Sequence, residues 1–194
     1  MISPEADGWP AYVGFAGRAR SGKDTAAALM ELYGYSRFAF GDKVRDALLN
    51  LNPLVLGEKG TTVLLSTLLE SYSWEQLKET PFQPHLRTLA QRMGTEVGRA
   101  IDTDIWVNQV KESIPPDVTR IVIPDVRFQN EADFIHSNGG AVICLSRPTS
   151  EESFGTEHAS ESLNLTADYY LKNDGSILEF HRKLLDALLE VSTS

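Results

Sequence analysis

Gly17-Arg18-Ala19-Arg20-Ser21-Gly22-Lys23 carries the spacing G-x-x-x-x-G-K, and Asp24 and Thr25 follow it. That spacing cradles phosphates when a strand enters it and a helix leaves it. Gly17 and Gly22 permit backbone shapes that a side chain blocks. The loop amides and the helix N-terminus would then face phosphate oxygens, and Lys23 would reach the β- and γ-phosphates. Gly17, Arg20, Ser21, Gly22, Lys23, Asp24 and Thr25 are the candidate ATP-phosphate ligands. The strict motif has Ser or Thr where this chain has Asp24. A carboxylate there either holds a magnesium-bound water or nearby cation, or is a simple acid at the helix N-terminus. A second acid, Asp125, ends the apolar run Arg120 to Pro124, where a carboxylate orients magnesium or its waters. Asp24, Thr25 and Asp125 are the candidate metal set. Arg127, two residues on, could neutralise a transferring phosphoryl group, with Glu131 orienting it.

A second constellation lies further along the chain. From His85 to Ile101 the spacing predicts one helix, with Leu86, Leu89, Ala90, Met93 and Val97 on its apolar stripe. Arg87, Gln91, Arg92, Thr95 and Arg99 fall on the other side. Guanidinium forks match phosphate oxygens, Gln91 could read a base edge, and Gly94 and Gly98 would let a ring approach. These five, with Lys43 on a neighbouring helix and Trp106, form the candidate substrate set. Trp106 is either a stacking platform or core. Arg147 opens the polar segment 147–164, placed as a lid would be, and completes a candidate catalytic set of Lys23, Asp125, Arg127 and Arg147. Asn173, Asp174 and Gly175 would either rest against adenine or cap the last helix.

The elements that must position these groups alternate. Strands are expected over 11–16, 36–40, 120–124, 141–146 and 167–172. Helices are expected over 23–33, 42–51, 85–101, 102–113, 129–137 and from Asn173-Asp174-Gly175 to about residue 191. Short apolar strands between helices argue a parallel sheet covered on both faces. Residues 52–84 read as an insertion, partly helical, with a capping box at Ser73 and Gln76. Its apolar run Val63 to Leu69 suits either core or a homodimer contact.

The chain has 194 residues with a net charge of −9. A length of this kind suits one domain, here with a substrate-side helical insertion about 52–110 and the lid-like segment. The acidic balance argues against nucleic acid and anionic membranes as partners. The single cysteine, Cys144, excludes an internal disulfide framework. The N-terminus has no signal-peptide pattern and no apolar run reaches membrane length, so a cytoplasmic protein is expected.

Four stretches carry a resemblance: GFAGRARSGKDT (14–25), LRTLAQRMGTEVGRAIDTDIWV (86–107), VIPDVRFQNEA (122–132) and HASES (158–162). On them the chain resembles the phage-type deoxynucleoside monophosphate kinases, of the nucleoside monophosphate kinase branch of P-loop folds. Asp24 is usual in that group's S-G-K-D-T loop. The resemblance implies an adenylate-kinase-like α/β fold with a five-stranded parallel sheet in the order 2-3-1-4-5. It also implies magnesium-dependent phosphoryl transfer from ATP to a deoxynucleoside monophosphate. His158, Ser160 and Glu161 match without an assignable role. Dephospho-coenzyme A kinase and phosphomevalonate kinase share the fold and parts of the loop and are the alternatives within the class. A non-catalytic ATP-binding regulator is the alternative outside it.

Overall fold

A computed structural model describes residues 8–148 and 165–193. The central sheet has five parallel strands: β1 (Tyr12–Ala16), β2 (Ser36–Arg37), β5 (Ile121–Val126), β6 (Ala141–Ser146) and β7 (Tyr169–Lys172). Their order is β2-β5-β1-β6-β7. Counted along the sheet strands alone this is the expected 2-3-1-4-5. The three central strands, β5, β1 and β6, are short, apolar and almost fully buried, as a parallel sheet with helices on both faces requires.

Alternate residues of β1 look to opposite faces. Val13 and Phe15 join Ala26, Ala27 and Met30 of α1 (Lys23–Leu32) and Phe180, Leu184 and Leu188 of α8 (Ile177–Ser192). Tyr12 and Gly14 look the other way, towards α7 (Gln129–Ser137). The Tyr12 and Phe134 rings meet edge to face at 5.8 Å. A Cβ on Gly14 would meet the end of the Ile135 side chain, so a glycine here leaves room for α7 to lie close.

β5 runs through Pro124 rather than stopping at it. Proline cannot donate to a ladder and is tolerated inside a sheet at bulges. The β1–β5 register shifts at that point: Gly14 pairs with Ile123, but Ala16 pairs with Val126. The extra residue re-aims the chain at Asp125. β2 is shorter than the expected 36–40, because the chain enters α2 (Phe40–Leu51) at Phe40.

The chain divides into two compact units, residues 1–40 with 110–194 and residues 41–109. Their boundaries fall inside α2 and α6 (Ile105–Ser113). The second unit has its own core of Leu48, Val55, Leu65, Leu68, Leu77 and Leu86. It contains an antiparallel hairpin, β3 (Leu54–Leu56) with β4 (Thr62–Leu64), where only partial helix was expected. Three-residue strands are too short for alternation to show. α3 (Leu65–Ser71) follows, and Leu65 and Leu68 of the apolar run point into this core. The box at Ser73 forms: its backbone N–H donates to Gln76 Oε1 at 2.8 Å, and the Gln76 N–H donates to Ser73 Oγ at 3.2 Å.

The expected helix over 85–101 is broken in type. α4 (Gln83–Gln91) passes into a π-helical stretch, Arg92–Gly98, and then a short α5 (Arg99–Ile101). Val97, placed on the apolar stripe by the spacing, is 48% exposed, and Gly98 is buried instead. The last helix is capped by Ser176, whose Oγ accepts from Glu179 N–H, and not by residues 173–175.

Candidate active site

Four strand ends of one sheet edge carry the candidate groups. The phosphate loop follows β1, Asp125 and Arg127 lie at the end of β5, Arg147 follows β6, and Asn173 follows β7. Ligands bind at the carboxyl ends of the strands in such sheets.

The loop is built as its glycines predict. Gly17 has φ +134° and Gly22 φ +107°. A Cβ at Gly17 would strike the Leu145 carbonyl and come within 2.9 Å of Ser21 Oγ. Arg20, with φ 66°, is also left-handed, although it carries a side chain. Left-handed residues among right-handed ones turn successive amides to one side and form an anion nest. Gly22 opens α1 with no side-chain cap, so the helix N-terminus is free to receive an anion. Asp24 and Thr25 are exposed in its first turn.

Lys23 folds back over the loop. Its Nζ donates to the carbonyls of Gly17 at 2.8 Å and Arg18 at 2.7 Å. Burial pushes its pKa below the ordinary lysine value and the Arg127 charge adds to that, while Asp24 and Asp125 oppose it. Lys23, Asp24, Asp125 and Arg127 thus share one electrostatic neighbourhood. The ammonium has carbonyl dipoles where a phosphate's full charge would serve it better.

Ser21 supplies a second sign of an anion site. Its hydroxyl is buried and is the one such side-chain polar atom without a hydrogen-bond partner among the described residues. An unpaired buried hydroxyl is costly, and this one sits inside the phosphate cradle. The loop, the orphaned hydroxyl and Lys23 fit the polyphosphate of a nucleotide.

Each remaining candidate has a definite place. Asp125 Oδ1 accepts from the Phe40 N–H at 3.1 Å, at the start of α2. Glu131, 3% exposed, accepts from the N–H groups of Arg127 at 2.7 Å and Phe128 at 3.1 Å. It fixes the Arg127 turn through the backbone. Arg147 is exposed. The rest of the lid-like segment, with His158, Ser160 and Glu161, lies outside the described residues.

Asn173 is 7% exposed, and its side-chain amide donates to the Ser21 carbonyl at 3.0 Å. It is committed to bracing the phosphate loop, a role its sequence context did not suggest. Asp174 holds Lys183 at 2.6 Å and Lys172 at 3.4 Å. The fact that these neighbours follow a strand at the ligand-binding edge was legible; the brace was not, because its partner lies 152 residues away.

In the second unit, Arg87, Gln91, Arg92 and Thr95 are exposed and Arg99 is half-buried. Arg92 pairs with Glu96 at 3.4 Å, Lys43 with Asp46 at 3.7 Å, and Arg99 donates to the Thr103 carbonyl at 3.0 Å. Trp106 is 5% exposed. Its indole Nε1 donates to the Gly94 carbonyl at 2.7 Å and its ring lies against Gly98. The ring that Gly98 admits is therefore Trp106 itself, while a Cβ at Gly94 would face Val44, and the reading of Trp106 as a base-stacking platform gives way to packing.

A family model described as deoxynucleotide monophosphate kinase matches residues 59–184. The chain belongs to the deoxynucleotide monophosphate kinase family. A protein of Acanthamoeba polyphaga mimivirus, provisionally named deoxynucleotide monophosphate kinase, is 28% identical over 91% of this chain and 95% of its own length. Among solved structures, shikimate kinase from Aquifex aeolicus is 14% identical, over 94% of this chain and 99% of its own, at a TM-score of 0.49. Dephospho-CoA kinase from Campylobacter jejuni is 15% identical, over 94% and 98%, at a TM-score of 0.48. The fold assignment rests on the strand order and the loop rather than on those superpositions. Membership makes the protein a phosphotransferase acting on deoxynucleotide monophosphates, with ATP as the co-substrate. The matched range begins beyond residue 25, so the nucleotide loop stands on its own geometry.

Proposed function

We propose that this family member transfers the ATP γ-phosphoryl group in line to the phosphate of a deoxynucleoside monophosphate, using its strand-end charges for the donor and its second-unit donors for the acceptor. The observation that carries the donor half is the buried, unpartnered Ser21 hydroxyl inside a loop that Lys23 now closes with backbone carbonyls. The acceptor phosphate is already anionic, so no general base is needed. Catalysis is positioning plus charge neutralisation.

In this reading Gly17 and Arg20 to Thr25 receive the polyphosphate, and Lys23 leaves its carbonyls for the β- and γ-oxygens. Arg127, held by Glu131, and Arg147 neutralise charge on the moving phosphoryl group. Magnesium would be held by Thr25 and, partly through water, by Asp24 and Asp125, and would neutralise charge on the phosphates. No cluster of three or more His, Cys, Asp or Glu able to hold a metal occurs among the described residues. That fits magnesium, which commonly takes one or two carboxylates and completes its shell with phosphate and water. Adenine would rest along the backbone of 173–175.

Arg99, with Arg87, Arg92 and Lys43, would bind the acceptor phosphate, and Gln91 and Thr95 the base. We read the chain as one kinase domain carrying residues 41–109 as its substrate-side insertion. The test is a pair of variants. Lys23→Ala should lower kcat about a hundredfold or more, and Arg99→Ala should raise the acceptor KM with the ATP KM unchanged. Retention of the full rate by Lys23→Ala would sink the scheme.

A further inference from the structure

The π-helical stretch in the second unit alters which side chains share a row. In an α-helix each residue turns about 100°, so the twelve positions from Arg87 leave Arg99 about 120° around the axis. The pair would then lie on different faces. A π turn, with its i→i+5 hydrogen bond, takes in one extra residue. Every later side chain arrives one position late.

Burial records this delay. Val97 should continue the stripe of Leu86 and Met93, yet it is 48% exposed, and Gly98 occupies the buried direction. The same delay acts on the polar side. Arg99 takes the direction that position 98 would have had, about 20° from Arg87 by the same 100° step. Gln91 is then about 20° from Arg99 on its other side. Arg87, Gln91 and Arg99 become one row. At about 1.5 Å per residue, Gln91 and Arg99 stand about 12 Å apart along it. That is a spacing suited to long side chains reaching the base and the phosphate of one mononucleotide.

Two features hold the turn open. Trp106 Nε1 donates to the carbonyl of Gly94, inside the stretch, at 2.7 Å. A side chain inserted into a helical ladder in this way is a recognised cause of distortion. Gly98 accepts the indole face: a Cβ there would lie 2.5 Å from Trp106 Cζ2 and 2.9 Å from the Met93 carbonyl. We infer that Trp106 and Gly98 are positioning residues for the acceptor nucleotide, holding the π turn that brings Arg99 into line with Gln91 and Arg87. This rests on the assignment of those donors to the acceptor.

The experiment is steady-state kinetics of Trp106→Phe, which keeps a ring and removes the N–H, with dTMP, dGMP, dCMP and dAMP in turn and magnesium-ATP saturating. Gly98→Ala is the second variant, and the ATP KM of each reports that the nucleotide-loop unit is intact. Both variants should raise the acceptor KM about tenfold, a loss of about 1.4 kcal/mol, with the ATP KM within twofold. In an Arg99→Ala background the added effect of Trp106→Phe should vanish, because it acts through that arginine. If Arg99→Ala raises the acceptor KM but Trp106→Phe does not, the positioning role is overturned and the site stands. Equal, additive losses in both backgrounds would also overturn it, as plain destabilisation. If Arg99→Ala itself changes nothing, the acceptor assignment fails and the inference falls with it.

Discussion

At the residue scale, the nucleotide loop holds polar groups in a waiting arrangement. Lys23 is bonded to two carbonyls of its own loop, and burial together with Arg127 depresses its pKa. Its folded pKa lies below the unfolded value, so keeping it charged opposes folding at neutral pH. That cost fades as pH rises through the depressed value. Phosphate binding favours the charged form, so ATP affinity should fall as the lysine loses its proton, at a pH below that of an ordinary lysine, about 10.4. Titration calorimetry with ATP across alkaline pH checks this, and Lys23→Arg should abolish the alkaline loss, because arginine keeps its proton. Asn173 offers a second test. Its amide donates to the Ser21 carbonyl, so Asn173→Asp would set acceptor against acceptor and should weaken ATP binding more than Asn173→Ala does. The two affinities, measured side by side, decide it; equal affinities would mean that the brace does not matter. Little of this was legible beforehand. The motif spacing announces the loop, because glycine geometry and the following helix are local properties. It does not announce that Asn173 braces it, because that contact joins distant strand ends.

At the element scale, legibility followed length and burial. The β6 strand and the α7 helix match their expected bounds because β-branched runs and clear stop signals bracket them. β5 outran its expected end because Pro124 could be absorbed in a bulge, and that bulge is what presents Asp125. The β3–β4 hairpin escaped notice because three-residue strands have no readable period. The helix over 85–101 was legible as a helix but not in its phase, because the π turn depends on Trp106, outside the helix itself. The second unit's core makes a direct prediction. Leu65 is fully buried there, and Leu65→Ala should cost about 2–5 kcal/mol. Chemical denaturation monitored by circular dichroism measures it. A loss within experimental error would mean that the run Val63 to Leu69 serves a surface and not a core.

At the scale of the whole molecule, the strand order, the loop and the family agree on a kinase, and no helix among the described residues is long and apolar enough to cross a membrane. The sheet brings Lys23, Asp125, Arg127 and Arg147 to its carboxyl edge, and in a chain of net charge −9 local cations and amide dipoles there would outweigh a distant acidic surface at short range. The family fixes the class of acceptor, while in the proposed reading the choice of base would rest on Gln91 and Thr95. The decisive measurement of the phosphoryl acceptor is ADP release with magnesium-ATP against dTMP, dGMP, dCMP, dAMP and their ribose counterparts, with dephospho-coenzyme A and phosphomevalonate alongside. Turnover with one or more deoxynucleoside monophosphates is expected, together with its loss in Lys23→Ala. Turnover confined to a non-nucleotide acceptor, or ATP binding with no product from any acceptor, would contradict it.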